Sequence, residues 1–85
     1  MMTRDDVAEY NEEALFCDGL DEAIIGVAER INLGPVAAYS VEKIIEILME
    51  RDEMTYEEAY EFFSYNIIGS WMGENTPVFI YKNEG

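Results

Sequence analysis

Three segments of the chain place apolar residues at the spacing of an amphipathic α-helix. In the first segment, packing residues recur at i, i+3, i+4, i+7 and i+8, with acidic residues between them. Thr3 precedes this segment, and Asp6 completes a weak capping box, the signal that begins a helix. The pattern predicts a helix that begins after Thr3 and is broken at Asp18-Gly19. Its packing stripe would be Val7, Tyr10, Asn11, Ala14 and Leu15.

The second and third helical segments have stronger start signals. Ser40 is a good N-cap for a helix whose buried stripe is Val41, Ile44, Ile45 and Leu48. Thr55, followed three residues later by Glu58, forms a strong capping box for the next helix. Gly69 is a suitable C-cap for that helix. Its inner face is predicted to consist of Ala59, Phe62, Phe63, Asn66 and Ile67.

Other segments favour β-strands. A strand is predicted over residues 23–30, since residues 23–28 are apolar and β-branched, which is typical of a strand covered on both faces. Gly26 within this strand indicates a bulge or a close backbone approach. Residues 32–35 predict a turn, and residues 36–39 predict the returning strand of a hairpin. Residues 77–82 predict a last strand at a sheet edge, with its proline where no hydrogen-bond donor is lost.

The element order is therefore α-β-β-α-α-β, and it predicts a single α+β domain spanning residues 1–85. We expect a three-stranded sheet with strand 23–30 in its middle and a helical hairpin packed on one face. The predicted core consists of Ile25, Val27, Ile44, Leu48, Phe63, Ile67 and Phe79.

Acidic residues dominate the charge of the chain. Its 85 residues include 5 Lys and Arg against 19 Asp and Glu, which gives a formal net charge of −14. We expect no direct binding to nucleic acid, because contact with phosphates requires a basic surface. A disordered acidic tail is also excluded, since 49% of the residues are hydrophobic.

Few residues are suited to catalysis. The chain has no histidine and one cysteine, Cys17, so it has no Ser-His or Cys-His pair and a poor ligand set for zinc. Glycine-rich phosphate-binding motifs are also absent from the sequence. We therefore expect no enzyme activity and no cofactor, and we interpret Cys17 as a small packing residue in a reducing cytosol. No leader peptide or membrane span is predicted from the apolar runs.

The segment 18–22 places three carboxylates within five residues. One interpretation is a site for a hard cation such as calcium or magnesium. The spacing does not match an EF-hand loop, since Gly19 directly follows the first acidic residue. The favoured interpretation is a polar turn in which Asp18 and Asp21 cap backbone amides, so we expect no metal.

Two sets of glutamates recur at i, i+4 spacing on the outer faces of the second and third predicted helices. They are Glu42, Glu46 and Glu50 in the second helix, and Glu57 and Glu61 in the third. One interpretation is a solvated face that maintains solubility. The other is a row of carboxylates about 6 Å apart, similar to the phosphates of one nucleic-acid strand. Such a row would be presented to a protein that normally binds DNA or RNA.

Aromatic residues are concentrated between residues 56 and 71. Most are expected in the core, because aromatics dominate small cores. They cannot all point in one direction on a helix, so Tyr60, Tyr65 and Trp71 are candidate interface anchors at the surface. The side-chain amide of Asn66 is expected to form hydrogen bonds with the backbone of a loop.

Four segments together resemble a family of small acidic proteins encoded by tailed phages and prophages. They are DGLDEAIIG at 18–26, KIIEIL at 43–48, MTYEEA at 54–59 with Phe62, Phe63, Asn66 and Gly69, and GENTPVF at 73–79. The family provides no activity to transfer, so no functional residue is carried over. The resemblance implies expression in the cytoplasm of an infected bacterium, where small phage proteins often bind and disable host machinery.

The leading hypothesis is a non-enzymatic phage accessory protein of the DNA-mimic, anti-CRISPR or anti-restriction type. It would act as a monomer or homodimer that binds a host protein with a basic groove, without contacting nucleic acid or membrane. One alternative is a module that binds a small ligand or metal between the 18–22 turn and the 69–76 loop. Another is a structural homo-oligomer whose aromatic surface is an interface.

Overall fold

The computed structural model describes residues 2–70 and 72–82. Within them, no helix is both long and apolar enough to cross a membrane. The predicted element order and the α+β class are confirmed. The elements are helix α1 (Arg4–Tyr10), a 3-10 turn (Asp21–Ala23), strands β1 (Ile24–Arg30) and β2 (Leu33–Ser40), helices α2 (Val41–Arg51) and α3 (Tyr56–Phe62), a π-helical continuation of α3 (Phe63–Ile68), and strand β3 (Val78–Ile80).

Strand β2, and not β1, is the central strand of the sheet. The order is β1-β2-β3, with β1 antiparallel and β3 parallel to β2. The prediction that strand 23–30 lies in the middle is therefore wrong. Residues 36–39 of β2 are all buried, whereas β1 exposes Ile25 and Glu29. The apolar run of β1 did not reveal this order, because the order depends on pairing with β3, a segment distant in the sequence.

Gly26 lies at a bulge in β1, as its position predicted. Ile24 pairs with Tyr39 and Gly26 pairs with Ala38, so Ile25 is the extra residue of the bulge. Ile25 is consequently 47% exposed, and its assignment to the core is wrong. The alternative of a close backbone approach is wrong, since a Cβ at Gly26 would meet nothing within 4 Å.

The hairpin turn is shorter than predicted. Residues 31–32 form it, and β2 already begins at Leu33. Asn32 adopts a left-handed conformation with φ of 62°, which asparagine tolerates well. Arg30 links the two strands of the hairpin, because its guanidinium donates hydrogen bonds to the carbonyl oxygen of Gly34. The same guanidinium donates to the carbonyl oxygen of Glu74 and so joins the hairpin to the loop before β3. The predicted turn at 32–35 is therefore placed too late in the chain.

One hydrophobic core joins the three helices to the sheet. Its members include Val7 from α1 and Ala59 from α3. Three predicted core residues, Ile44, Leu48 and Phe63, are fully buried, and three more, Val27, Ile67 and Phe79, are partly buried against them. Tyr39 of β2, which the core prediction missed, is among the largest fully buried side chains.

Helix α1 ends at Tyr10, well before the predicted break at Asp18-Gly19. Asn11 is extended, with φ of −158°. Its Nδ2 atom donates to the carbonyl oxygen of Pro35 at 2.8 Å and to Oδ1 of Asn75 at 3.1 Å. These bonds to distant parts of the chain replace continuation of the helix. Tyr10, the last residue of α1, was predicted to pack but is 61% exposed.

Helix α3 widens into a π-helix from Phe63 onwards. A π-helix closes i→i+5 hydrogen bonds and has more residues per turn, so the periodicity of an α-helix no longer tells which residues face inwards. Asn66, predicted on the inner face, is exposed. Phe62, the last residue of the α-helical part, was also predicted on the inner face and is 37% exposed. Gly69 is the C-cap as predicted, but with φ of −70°. A glycine is needed at this position because a Cβ would lie 2.6 Å from the carbonyl oxygen of Tyr65.

The three predicted N-caps, Thr3, Ser40 and Thr55, are confirmed. At Thr55, Oγ1 accepts a hydrogen bond from the Glu58 amide at 3.2 Å, and Glu58 Oε1 accepts one from the Thr55 amide at 2.9 Å. We expect Thr55→Ala to lower the free energy of unfolding by about 1 kcal/mol in urea denaturation, because the Glu58 amide loses its acceptor. Thr55→Ser should retain most of the stability. An alanine variant as stable as the wild type would contradict the role of this cap.

Candidate protein-interaction surface

All five glutamates of the predicted ladders are exposed. On α2 this follows from the opposite apolar stripe, whose four residues are buried as predicted. The ion pairs recorded in residues 2–70 and 72–82 join Arg4 and Arg51 to aspartates, and none includes a ladder glutamate. The exposed glutamates are Glu42, Glu46, Glu50, Glu57 and Glu61.

The structure divides these glutamates into separate groups. Glu42 and Glu46 line a groove between α2 and α3, together with Tyr56, Tyr60, Tyr81 and one cationic residue, Lys82. A second depression, which we call the α3 depression, is lined by Tyr56, Glu57, Tyr60, Glu61, Ser64 and Tyr65. Tyr56 and Tyr60 belong to both. We call the continuous face that the groove and the α3 depression form the acidic tyrosine surface.

Glu50 lies outside the acidic tyrosine surface. It lines a different depression, beside Gly19, Asp21 and Arg51. Residues eight apart on an α-helix are rotated by about 80° from each other, so the third member of the i, i+4, i+8 series turns away from the first. The prediction of one straight row Glu42–Glu46–Glu50 therefore describes two faces of α2.

Tyr60 is held in place by its neighbours. Its ring centroid lies 5.9 Å from that of Tyr56 and 6.1 Å from that of Phe63, the latter in an edge-on arrangement. Phe63 is fully buried and anchors this row of rings in the core. Hydrogen bonding with the hydroxyl of Tyr81 raises the pKa of Tyr60. The acidic tyrosine surface is thus backed by the hydrophobic core.

The predicted aromatic anchors differ in how far their side chains are exposed. Tyr65 is 80% exposed, and Tyr60 is half-buried within the acidic tyrosine surface. Trp71 lies outside the described residues. The sequence analysis missed Tyr56 and Tyr81, which are both 59% exposed. The i, i+4 spacing of Tyr56 and Tyr60 is a signal that would have identified Tyr56, whereas Tyr81 reaches this surface only through the placement of its strand.

An arginine, and not backbone amides, binds the acidic turn at 18–22. Arg4 Nε donates to Asp21 Oδ1 at 2.7 Å, and another nitrogen of the same guanidinium donates to Asp18 Oδ1 at 3.2 Å. The guanidinium also lies 5.0 Å from the ring centroid of Phe16. The predicted capping by Asp18 and Asp21 is therefore replaced by ion pairs. Within the described part of the chain, no three His, Cys, Asp or Glu residues are arranged to hold a metal ion.

Cys17 is a half-buried free thiol. Burial raises its pKa, so the reactive thiolate is disfavoured at neutral pH. Its backbone amide donates to the hydroxyl of Tyr39 at 2.8 Å. Cys17 also borders a depression whose apolar lining includes Phe16, Leu20, Leu48, Phe62, Ile67 and Met72.

The acidic tyrosine surface presents carboxylates and phenol rings. Carboxylates pair with cationic groups, and phenol rings attract cations to their faces. The two members of each glutamate pair are one helical turn apart, or about 6 Å. This chemistry suits a cationic protein surface, and the described residues show no nucleophile activated by a neighbouring base. No protein-family model, curated protein or solved structure matches the chain.

Proposed function

We propose that this protein is a non-enzymatic phage accessory protein that binds a host protein through the acidic tyrosine surface. The proposed partner handles nucleic acid in the cytoplasm of the infected bacterium, as a CRISPR effector, a restriction enzyme or a polymerase does. One observation carries the proposal. Glu42 and Glu46 on one side of Tyr56 and Tyr60, and Glu57 and Glu61 on the other, are exposed and lack recorded ion pairs within the described residues.

The mechanism is occupancy of the basic groove in which the partner binds nucleic acid. A net charge of −14 attracts a basic surface over a long range and accelerates the encounter. After the encounter, exposed tyrosines supply apolar contact area at little cost in side-chain entropy. The bound protein then excludes nucleic acid from the groove.

Two glutamine variants test this proposal. Glu42→Gln/Glu46→Gln and Glu57→Gln/Glu61→Gln retain side-chain volume and helix propensity while removing like-charge repulsion. We expect their free energy of unfolding to change by no more than a few tenths of a kcal/mol, because the relief of repulsion is offset by the lost interaction of Glu42 and Glu57 with the N-terminal ends of their helices. The association rate with the partner should fall about tenfold at low salt, and this loss should shrink at high salt as the charges are screened.

The matched control is Glu12→Gln/Glu13→Gln, which removes the same charge from exposed positions outside the acidic tyrosine surface. This control should reduce the association rate less than either glutamine pair of the acidic tyrosine surface does. Glu50→Gln should also have a smaller effect, because Glu50 lies outside that surface. The partner is first captured from a bacterial lysate at low and high salt and identified by mass spectrometry. Surface plasmon resonance then measures the rates. A partner whose affinity ignores both glutamine pairs and the ionic strength would contradict the proposal.

A second candidate function is the binding of a small apolar ligand. It is favoured by the depression beside Cys17, which lies between the acidic turn and the end of the π-helix. A saturable rise in melting temperature with a small molecule, lost in Leu20→Ser but retained in the glutamine variants, would favour this function over the first.

A further inference from the structure

We propose that the α3 depression binds arginine side chains of the partner in preference to lysine. This inference rests on the proposed function and specifies the kind of basic protein surface that the acidic tyrosine surface fits. The α3 depression is defined above by its six lining residues, which include no Lys or Arg.

The arrangement of the α3 depression places aromatic rings beside carboxylates. Tyr56, Tyr60 and Ser64 follow one another at i, i+4 spacing along the helix, and Glu57, Glu61 and Tyr65 follow in the adjacent row. A cationic group that enters between the rows lies beside tyrosine side chains on one side and glutamate side chains on the other. The rings of Tyr56 and Tyr65 are accessible to it, being 59% and 80% exposed.

The centre of the α3 depression is already ordered. Tyr60 is fixed between Tyr56 and the buried Phe63, and its hydroxyl interacts with that of Tyr81. A partner side chain therefore does not have to immobilise this ring when it binds, which favours affinity. Glu57 and Glu61 remain available, since no ion pair with either is recorded among residues 2–70 and 72–82.

The chemistry of the two cationic side chains differs at such a site. A guanidinium is planar and weakly hydrated, stacks on an aromatic face, and donates two parallel hydrogen bonds to a carboxylate. A lysine ammonium is a compact and strongly hydrated charge that gains less from stacking. Exposed carboxylates attract both side chains, so most of the preference for arginine comes from stacking on the tyrosines.

Two labelled peptides test the inference. They have the same length and charge and carry either arginine or lysine at the same positions, separated by glycine and serine. Fluorescence anisotropy with the full chain measures both affinities at low and high salt. We expect the arginine peptide to bind about two- to fivefold tighter than the lysine peptide. Glu57→Gln/Glu61→Gln should weaken both peptides by a similar factor.

The tyrosine variants separate stacking from charge. Tyr56→Leu/Tyr65→Leu should reduce the preference for arginine to near one, with little change in the affinity of the lysine peptide. The single variant Tyr65→Leu, at a highly exposed position, should halve the preference without disturbing the fold. Tyr10→Leu is the matched control, since Tyr10 is 61% exposed and lies on α1.

Equal affinities of the two peptides for the wild type would overturn the arginine preference. So would an equal loss of preference in Tyr10→Leu. Either result leaves the proposed function standing if the captured partner still depends on the glutamate pairs and on salt. The proposed function itself fails if binding of the captured partner depends neither on the glutamate pairs nor on the salt concentration.

Discussion

Phe63→Ala should lower the free energy of unfolding by about 3–5 kcal/mol, the largest effect expected for a single substitution in this protein. Phe63 is fully buried, and its ring centroid lies 5.6 Å from that of Phe79 and 6.4 Å from that of Tyr81. It therefore ties the third helix to the segment of β3. Small domains have a total stability of about 5–15 kcal/mol, so the variant should be close to unfolding at room temperature.

Urea denaturation followed by circular dichroism measures this loss. Phe62→Ala is the matched control, since Phe62 is the preceding residue of the same type and is 37% exposed. It should cost much less. Phe63→Leu retains an apolar side chain and should give an intermediate value that stays measurable if the alanine variant does not fold. Equal losses in Phe62→Ala and Phe63→Ala would contradict the packing described above.

The second large effect is a loss of stability in alkali caused by Tyr39. Burial raises the pKa of Tyr39 from 10.0 to about 12 in the folded protein. Its fully buried hydroxyl accepts the backbone amide of Cys17 at 2.8 Å. The neutral phenol is therefore the form that the folded protein requires.

The direction of the pH dependence follows from the two pKa values. The folded state holds this proton more tightly than the unfolded chain does, so Tyr39 removes no stability below about pH 9. As the pH rises from 10 to 12, the unfolded chain releases the proton first. The free energy of unfolding then falls by at most about 1.4 kcal/mol for each pH unit, or about 2 kcal/mol between pH 10 and 12.

Urea denaturation at successive pH values measures this loss, and Tyr39→Phe isolates it. This variant should lose about 1 kcal/mol at neutral pH, because the Cys17 amide loses its acceptor. Its stability should then fall less steeply between pH 10 and 12 than that of the wild type. Cys17→Ala accounts for the thiol, whose pKa burial also raises. Tyr65→Phe, at an 80% exposed position, should retain the slope of the wild type. If the free energy of unfolding of Tyr39→Phe fell with pH as steeply as that of the wild type, the alkaline loss of stability would not be due to Tyr39.

Predictions from the sequence held where the determining contacts are local. The N-caps at Thr3, Ser40 and Thr55 depend on hydrogen bonds between residues three apart, and all were confirmed. The buried stripe of α2 follows from the geometry of one regular helix. The bulge at Gly26 was also confirmed, but its consequence, the exposure of Ile25, required knowing the register with β2.

Predictions failed where contacts between distant segments compete with local preference. Asn11 lies at the spacing of the packing stripe of a longer α1, yet its side-chain bonds to Pro35 and Asn75 are made where the helix ends. Asn66 suits the inner face of an α-helix, yet the π-helix turns it outwards. Neither the partners of Asn11 nor the widening of the helix has a signal in the neighbouring sequence.

The element order, the starts of the three helices, the acidic character of the protein and the exposure of its glutamates could all be predicted before the fold was known. These properties depend on composition, on helical periodicity and on residues a few positions apart. The central place of β2, the separation of Glu50 from Glu42 and Glu46, and the meeting of Tyr56, Tyr60 and Tyr81 in one groove became visible only in the folded chain. They depend on how Phe63 and the parallel pairing of β3 join segments far apart in the chain, and no local pattern records those contacts.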